Sequence, residues 1–364
     1  MMQQIPPIDP IRPGIGELAP LFAARCGDIA QFHLSSLGGR HIVLCFPGQN
    51  LEPAIAALDL LAATIASIDD VHAVCFAVIG DEGAPVVRQR WPVLRCFHQQ
   101  APARLYSMYN VGLEGGWIVI DTAMRILLRA PLSEGSAVLA WVASLPRAGL
   151  LASADMPAPV LTVPGIFEPE FCRYLIALYQ QNGGVDSGFM RDVNGQTVGV
   201  VDHSFKRRRD MDITDEAVRV AARQRVERRL VPMITRALNF RTTRMERYIV
   251  ACYDSSERGF FSPHRDNTTR GTAHRRFAVT INLNADEFEG GELRFPEFSP
   301  RTYRAPTGGA VVFCCSLLHE ATPVTAGTRY AFLPFLYDEE AARQREANIG
   351  FLGDGTAQYK AQAG

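Results

Sequence analysis

Apolar and polar positions follow two different rhythms along this chain. Up to about residue 150, short apolar runs rich in β-branched and aromatic residues exchange with segments of helical spacing. Residues 41–46 and 71–79 read as buried strands, and 52–67 places apolar side chains at helical intervals. A short helix is predicted over 104–109 and two strands over 117–121 and 124–129, turning at Thr122 and Ala123. A helix over 134–145 ends where Pro146 cannot continue it. Alternation of this kind predicts an α/β layer around a central sheet.

Residues 146–160, rich in Pro, Ala and Gly, break the pattern and mark a linker. A helix is then predicted from Pro169, a residue suited to the first helical position. A long one follows over 215–238, capped by Thr214 with Asp215 and Glu216 at its positive end. After Met245 the chain changes to short strands at 245–253, 259–263, 276–283, 291–295, 309–317 and 328–336, separated by Gly and Pro turns. Helices followed by many strands predict an α+β unit, helices packed on a double-sheet jelly roll. The expected division is 1–150, a linker at 151–157, a second domain at 158–340 and a tail at 341–364, as a length of 364 residues favours.

A hydrophobic share of 47% with 21% charged residues is that of a globular protein, and a net charge of −1 gives no global field to recruit nucleic acid or an anionic membrane. The basic run 206–209 is followed by Asp210 and Asp212 and reads as a solvated segment. Arg275 and Arg276, with that run, would rim a substrate mouth. No segment has the length of a membrane span, and the first residues lack a signal-peptide layout. The eight cysteines form no CxxC pair, and several sit in apolar runs, which fits buried thiols in a reducing cytoplasm.

The chemistry concentrates at His264-Arg265-Asp266. On a strand, i and i+2 share a face, so His264 and Asp266 can address one ion. His319, at the end of an apolar strand, is placed to supply a third ligand. Two imidazoles and one carboxylate leave adjacent positions open, the arrangement of non-haem iron(II) oxygenases. Arg329 follows in the next apolar strand, where a buried cation needs an anionic partner. A dicarboxylate whose far end pairs with the guanidinium would supply it. His203 and His274 read as loop or surface residues rather than ligands.

Four segments carry a resemblance: RYIVACYDSSERGFFSPHRD, RRFAVTINLNADEFEGGELRF, TGGAVVFCCSLLHEATPVTAGTRY and, more weakly, VPGIFEPEFCRYLIALY. Together they resemble the prolyl 4-hydroxylase-type branch of the 2-oxoglutarate/iron(II) dioxygenases, with a double-stranded β-helix fold. The resemblance implies His264, Asp266 and His319 as iron ligands and catalytic centre, and Arg329 as the 2-oxoglutarate anchor. It also places Tyr253 in the co-substrate pocket. Asn282 stands where some relatives carry a tyrosine that touches 2-oxoglutarate. Implied co-substrates are 2-oxoglutarate and O2, with ascorbate as reductant. The implied reaction hydroxylates a peptide residue or small molecule and releases succinate and CO2.

The first half carries GIGELAPLFAARCGDIAQFHLSSLGGRHIVLCFPGQN, HAVCFAVIG, LYSMYNV and GGWIVIDTAMRIL, which resemble a peroxiredoxin, thioredoxin-fold domain. The loop that would present the peroxidatic cysteine reads Pro47-Gly-Gln-Asn-Leu and has no thiol. A reactive thiolate needs an accessible helix N-terminus, whereas Cys45 falls inside the strand. The expected role is a non-catalytic scaffold, a partner-binding module or a dimerisation surface. Two rival readings stand beside the oxygenase: a zinc hydrolase on the same three ligands, and a redox-sensing protein acting through the first half.

Overall fold

The computed structural model describes residues 13–66, 68–145, 156–353 and 356. The chain forms two compact units, one running to Met156 and taking in Pro296–Pro300, the other comprising Pro157–Phe295 and the chain from Arg301 onward.

In the first unit the strands are β1 (Ala23–Cys26), β2 (Ile29–His33), β3 (His41–Phe46), β4 (Ala73–Gly80), β5 (Cys96–Gln99), β6 (Gly116–Ile120) and β7 (Ile126–Ala130). The helices are α1 (Leu51–Ile65), α2 (Ala84–Arg90), α3 (Ala103–Met108) and α4 (Gly135–Ser144). The sheet runs β2-β1-β5-β4-β3-β6-β7, with β5, β4 and β3 parallel and β6 and β7 antiparallel beside them. A strand buried on both faces must be apolar at every position, and β3 is. Ile42, Leu44 and Phe46 join one apolar cluster; Val43 and Cys45 join the other, against α1 and α4. The fold is thioredoxin-like, as the resemblance implied. Gly48 turns the chain out of β3 at φ +76°, and a Cβ there would meet the Glu114 backbone at 2.7 Å.

The second unit opens with β8 (Leu161–Val163) and α5 (Pro169–Asn182). Strands β9 (Val185–Asp186), β10 (Phe189–Val193), β11 (Gln196–Val200), β12 (Lys206–Arg207) and β13 (Arg209–Asp212) follow. Next come α6 (Glu216–Arg225), a five-residue π turn at Val226–Leu230 and α7 (Val231–Leu238). The barrel strands are β14 (Arg244–Glu246), β15 (Ile249–Asp254), β16 (Phe260–His264), β17 (Phe277–Asn282), β18 (Phe288–Gly290), β19 (Leu293–Arg294), β20 (Thr302–Tyr303), β21 (Ala310–Cys314), β22 (His319–Ala321), β23 (Val324–Phe332) and β24 (Phe335–Tyr337), and helix α8 (Glu339–Asn348) closes the unit.

One sheet runs β14-β24-β17-β23-β15-β13-β9, with β21 and β8 alongside β17, and a smaller one runs β12-β16-β22-β19-β20. The named strand pairs of this unit are antiparallel. Alternation along β15 divides its side chains. Val250 and Cys252 pack outward with α5–α7, while Ile249, Ala251 and Tyr253 face inward with Phe261 and Ala321 of the smaller sheet. This is the predicted jelly roll with supporting helices.

Four expectations change. The helix after residue 214 is capped by Asp215, whose carboxylate accepts from the Ala217 and Val218 N–H groups, and not by Thr214. It is also interrupted: Pro232 has no N–H to give the preceding turn, and the π turn ends at Leu230, two residues before Pro232 of α7. The basic run at 206–209 is not a solvated segment, since β12 and β13 form there and Lys206 and Arg208 are buried. Residues from 341, expected as a tail, lie inside α8 as far as Asn348. Of the expected linker at 151–157, residues 151–155 fall outside the described residues.

Candidate metal centre

Strand β16 carries His264 at its end and pairs with β22 so that His264 lies opposite His319. A register shift between Phe261 and His264 turns the strand before the turn that holds Asp266. The possible ligand atoms of His264, Asp266 and His319 all lie within 4.8 Å of one another. Asp266 Oδ1 is 3.6 Å from His264 Nε2, and Oδ2 is 3.3 Å from His319 Nε2.

The ring orientations are fixed from behind. His264 Nδ1 lies 2.8 Å from the Ser262 carbonyl and His319 Nδ1 lies 3.0 Å from the Leu317 carbonyl. A carbonyl only accepts, so each Nδ1 carries a proton, and each Nε2 is the nitrogen that faces Asp266. Phe261 stacks on the His264 ring with centroids 3.5 Å apart, and Phe313 packs on His319. Burial pushes the His319 imidazole down to about 4, with His264 adding to the shift and Asp266 opposing it, so the ring is neutral near pH 7. Burial alone would raise the Asp266 carboxyl. His319, His264 and Arg275 outweigh it and hold the carboxyl well below its usual range. A neutral His319 imidazole and an ionised Asp266 carboxylate are protonation states a divalent ion requires.

The cavity beside the triad is lined by Arg329, Tyr253, Arg208 and Arg247 together with Phe261, Leu333 and Phe335. Arg329 is 2% exposed and its Nη1 has no hydrogen-bond partner among the described residues. Its Nε lies 3.4 Å from Asn282 Oδ1, and its guanidinium lies 5.0 Å from the Tyr253 ring centre. Gly291, at φ +68°, leaves room for that side chain: a Cβ there would stand 3.1 Å from Arg329 Cδ. Tyr253 is buried, and its hydroxyl accepts from Arg208 Nη1 at 3.3 Å. Asn282 donates from Nδ2 to the Ala305 carbonyl at 2.8 Å, so its oxygen is aimed at Arg329. A larger cavity of about 1050 Å³ lies among residues of α6, α7 and α8, but it contains none of the three candidate ligands.

The buried pairing of several residues at this site was not anticipated. Arg208 forms a bidentate pair with Asp210 at 2.7 and 2.6 Å, and Arg247 reaches the same carboxylate at 3.3 Å. Asp210 sits on β13 and Arg208 immediately before it, and their i, i+2 spacing is the signal that could have revealed a shared inward direction. His274 is not a solvated loop residue. It is 2% exposed, and its Nε2 lies 3.0 Å from Glu246. Arg275 is 4% exposed and bound to Glu246, so it does not rim a mouth. His203 is at the surface, as expected.

In the first unit, Cys45 is fully buried in β3, and burial raises its thiol far above the usual range. Burial also pushes Cys75 and Cys96 up to about 12. Asn50, rather than a cysteine, stands at the N-cap of α1.

A family model described as the 2OG-Fe(II) oxygenase superfamily matches residues 248–337. A PKHD-type hydroxylase of Cupriavidus metallidurans is 36% identical over 80 residues, covering 20% of this chain and 35% of that relative. A PKHD-type hydroxylase of Hyphomonas neptunium is 26% identical over 150 residues, covering 38% and 64%. The chain therefore spans about a third and somewhat under two thirds of these relatives. Among solved structures, a Trichoplax adhaerens prolyl hydroxylase in complex with a hypoxia inducible factor peptide fragment aligns at 19% identity and a TM-score of 0.41, covering 52% of this chain and 86% of that one. A thioredoxin domain of a Bacteroides vulgatus thiol-disulfide oxidoreductase aligns at 13% identity and a TM-score of 0.31, covering 35% and 98%.

Proposed function

Residues 248–337 carry a domain of the 2OG-Fe(II) oxygenase superfamily, and from that premise we propose that the protein is an iron(II)- and 2-oxoglutarate-dependent dioxygenase. The reaction converts 2-oxoglutarate, O2 and a C–H bond of the substrate into succinate, CO2 and a C–OH group. His264, Asp266 and His319 would hold the iron, and Arg329 would pair with the far carboxylate of 2-oxoglutarate. The observation that carries this reading is the convergence of two imidazole nitrogens and one carboxylate within 4.8 Å, in a cavity lined by a buried guanidinium with an unmatched N–H.

The donor set fits iron(II): two nitrogens and an oxygen, with no thiolate among them. Bound iron would supply the redox chemistry that couples O2 to the decarboxylation of 2-oxoglutarate. The protein's part is positional. The Ser262 and Leu317 carbonyls hold the two rings in the tautomer that presents Nε2. Arg329 supplies a planar fork matched to a carboxylate, with Asn282 and Tyr253 fixing its orientation. Phe261, Leu333 and Phe335 keep water from the cavity walls.

A zinc hydrolase would leave the Arg329 charge without a role, which weighs against it. Substrates of the proposed enzyme are a peptide side chain or a small molecule. The first unit acts as a non-catalytic scaffold or partner-binding module, in line with the burial of Cys45 and the absence of a thiol at the start of α1. The test is succinate release on incubation with iron(II), 2-oxoglutarate and ascorbate. Wild-type protein should release succinate even without added substrate, and His264→Ala and Asp266→Ala should not. Equal turnover in all three proteins ends the proposal.

A further inference from the structure

We propose that Glu246 is a positioning residue of the metal centre: its carboxylate occupies Arg275, which would otherwise compete with the metal for Asp266. This inference rests on the oxygenase reading of the triad.

Glu246 lies at the end of β14, 2% exposed, where an isolated carboxylate is strongly disfavoured. It is held by three cationic or potentially cationic groups from two other segments. Arg275 Nε is 2.9 Å from Oε1, while His274 Nε2 at 3.0 Å and Arg345 Nε at 3.3 Å address Oε2. Arg345 belongs to α8 and also donates from Nη1 to the Tyr337 hydroxyl at 3.3 Å. The cluster therefore ties β14, the turn before β17 and the closing helix together.

Arg275 is the link to the metal centre. Its guanidinium lies 3.9 Å from the Phe335 ring centre, which restricts its plane. With Nε committed to Glu246, Nη1 reaches the Asp266 backbone carbonyl at 3.4 Å. The Asp266 N–H donates to the Cys315 carbonyl at 3.0 Å, so the backbone of this candidate ligand is held on both sides. A guanidinium that near a buried carboxylate has a second possible partner, the Asp266 side chain. Glu246 decides between them. While its charge is present, Arg275 is held by Glu246 and Asp266 faces the two imidazoles. Without it, the guanidinium turns to the other carboxylate within reach, and the metal must displace it.

None of Glu246, His274, Arg275 and Arg345 is among the three candidate ligands. Their effect is on where one carboxylate points, and outer partners of metal ligands typically change metal affinity 10- to 100-fold when altered.

The experiment uses the full chain and Co(II) alone as the probe, read by competition titration and by the ligand-field spectrum of the bound ion. Glu246→Gln should weaken Co(II) binding by about tenfold or more and change the spectrum. The double variant Glu246→Gln/Arg275→Gln, which removes the competitor as well, should recover affinity to within roughly threefold of wild type. A merely structural role predicts the opposite, with the double variant at least as impaired as the single one. That outcome, or wild-type affinity and spectrum in Glu246→Gln, overturns the proposal. Should Glu246→Gln not fold, Glu246→Asp withdraws the carboxylate by one methylene and carries the same comparison: weaker binding, restored on adding Arg275→Gln, supports the proposal, and wild-type affinity refutes it. Failure of the wild-type chain to bind Co(II) would instead defeat the reading of the triad itself.

Discussion

Replacing Arg329 with Met separates two effects that most active-site substitutions confound, because the affinity for 2-oxoglutarate and the stability of the empty protein should move in opposite directions. Arg329 is 2% exposed, has an N–H with no partner among the described residues, makes a long contact of 3.4 Å to Asn282 and lies 5.0 Å from the Tyr253 ring centre. Burial lowers its pKa, the mark of a charge in an unfavourable medium, although Tyr253 acts in the other direction. An unmatched buried ion costs several kcal/mol, so exchanging it for an apolar chain of similar reach should stabilise the ligand-free fold. Allowing for the lost contacts to Asn282 and the Tyr253 ring, about 1–2 kcal/mol of that gain should remain. For a domain of this size that raises the melting temperature by about 2–8 °C. Binding changes the other way. Two charge-assisted hydrogen bonds to a carboxylate contribute about 1.5–3 kcal/mol each, so their loss weakens 2-oxoglutarate by at least about 100-fold. Thermal unfolding under anaerobic iron(II), with and without 2-oxoglutarate, measures both. The account expects Arg329→Met to melt higher than wild type alone and to gain little from the co-substrate. A variant that melts lower yet gains as much from 2-oxoglutarate as wild type would refute the reasoning.

Further outcomes are equally specific. Burial would raise the Glu246 carboxyl, but Arg275, His274 and Arg345 outweigh it and bring it down to about 2. Its folded pKa is depressed below the ordinary 4.5, so its contribution is present above pH 4.5 and lost as pH falls through about 2. Denaturant titrations should show Glu246→Gln less stable than wild type by about 3 kcal/mol at pH 7, with the difference shrinking across that window. Asp215→Ala, which removes the cap of α6, should lower stability by about 1 kcal/mol with the metal affinity unchanged. In the first unit, Cys45, Cys75 and Cys96 should react with hydrogen peroxide no faster than a free thiol. Mass spectrometry of peroxide-treated protein, with rapid sulfenic acid formation at any of them, would contradict the non-peroxidase reading.

Much of this architecture could be read from the chain because it rests on local rules. The uniform burial of β3 follows from an unbroken apolar run, and the alternation along β15 follows from strand geometry. His264 and Asp266 were legible as neighbours from their i, i+2 spacing, although β16 ends at His264 and Asp266 stands in the turn beyond it rather than on a shared strand face. Their meeting with His319 required the β16–β22 pairing, for which the apolar run ending in His319 gave only a direction. What stayed hidden was decided by long-range pairing of charges. Lys206, Arg208 and Asp210 look like a solvated segment because a run of charge is normally exposed. They are buried because Ser187, Gly188 and Tyr253, distant in sequence, satisfy them. Burial with Arg208 beside it drives the Lys206 ammonium far below its usual pKa, which no inspection of the run itself would disclose. His274 and Arg275 were misplaced for the same reason. Their partner Glu246 lies almost thirty positions earlier, on a three-residue strand that carries no pattern of its own.

The central claim is that one iron(II) ion sits between His264, Asp266 and His319 while 2-oxoglutarate reaches Arg329. The most direct measurement is a crystal grown anaerobically with iron(II) and 2-oxoglutarate and recorded at the iron absorption edge. The account predicts a single anomalous peak bounded by the two Nε2 atoms and the Asp266 carboxylate, with the far carboxylate of 2-oxoglutarate against the Arg329 guanidinium. An ion bound elsewhere, or a co-substrate that leaves Arg329 untouched, would contradict it.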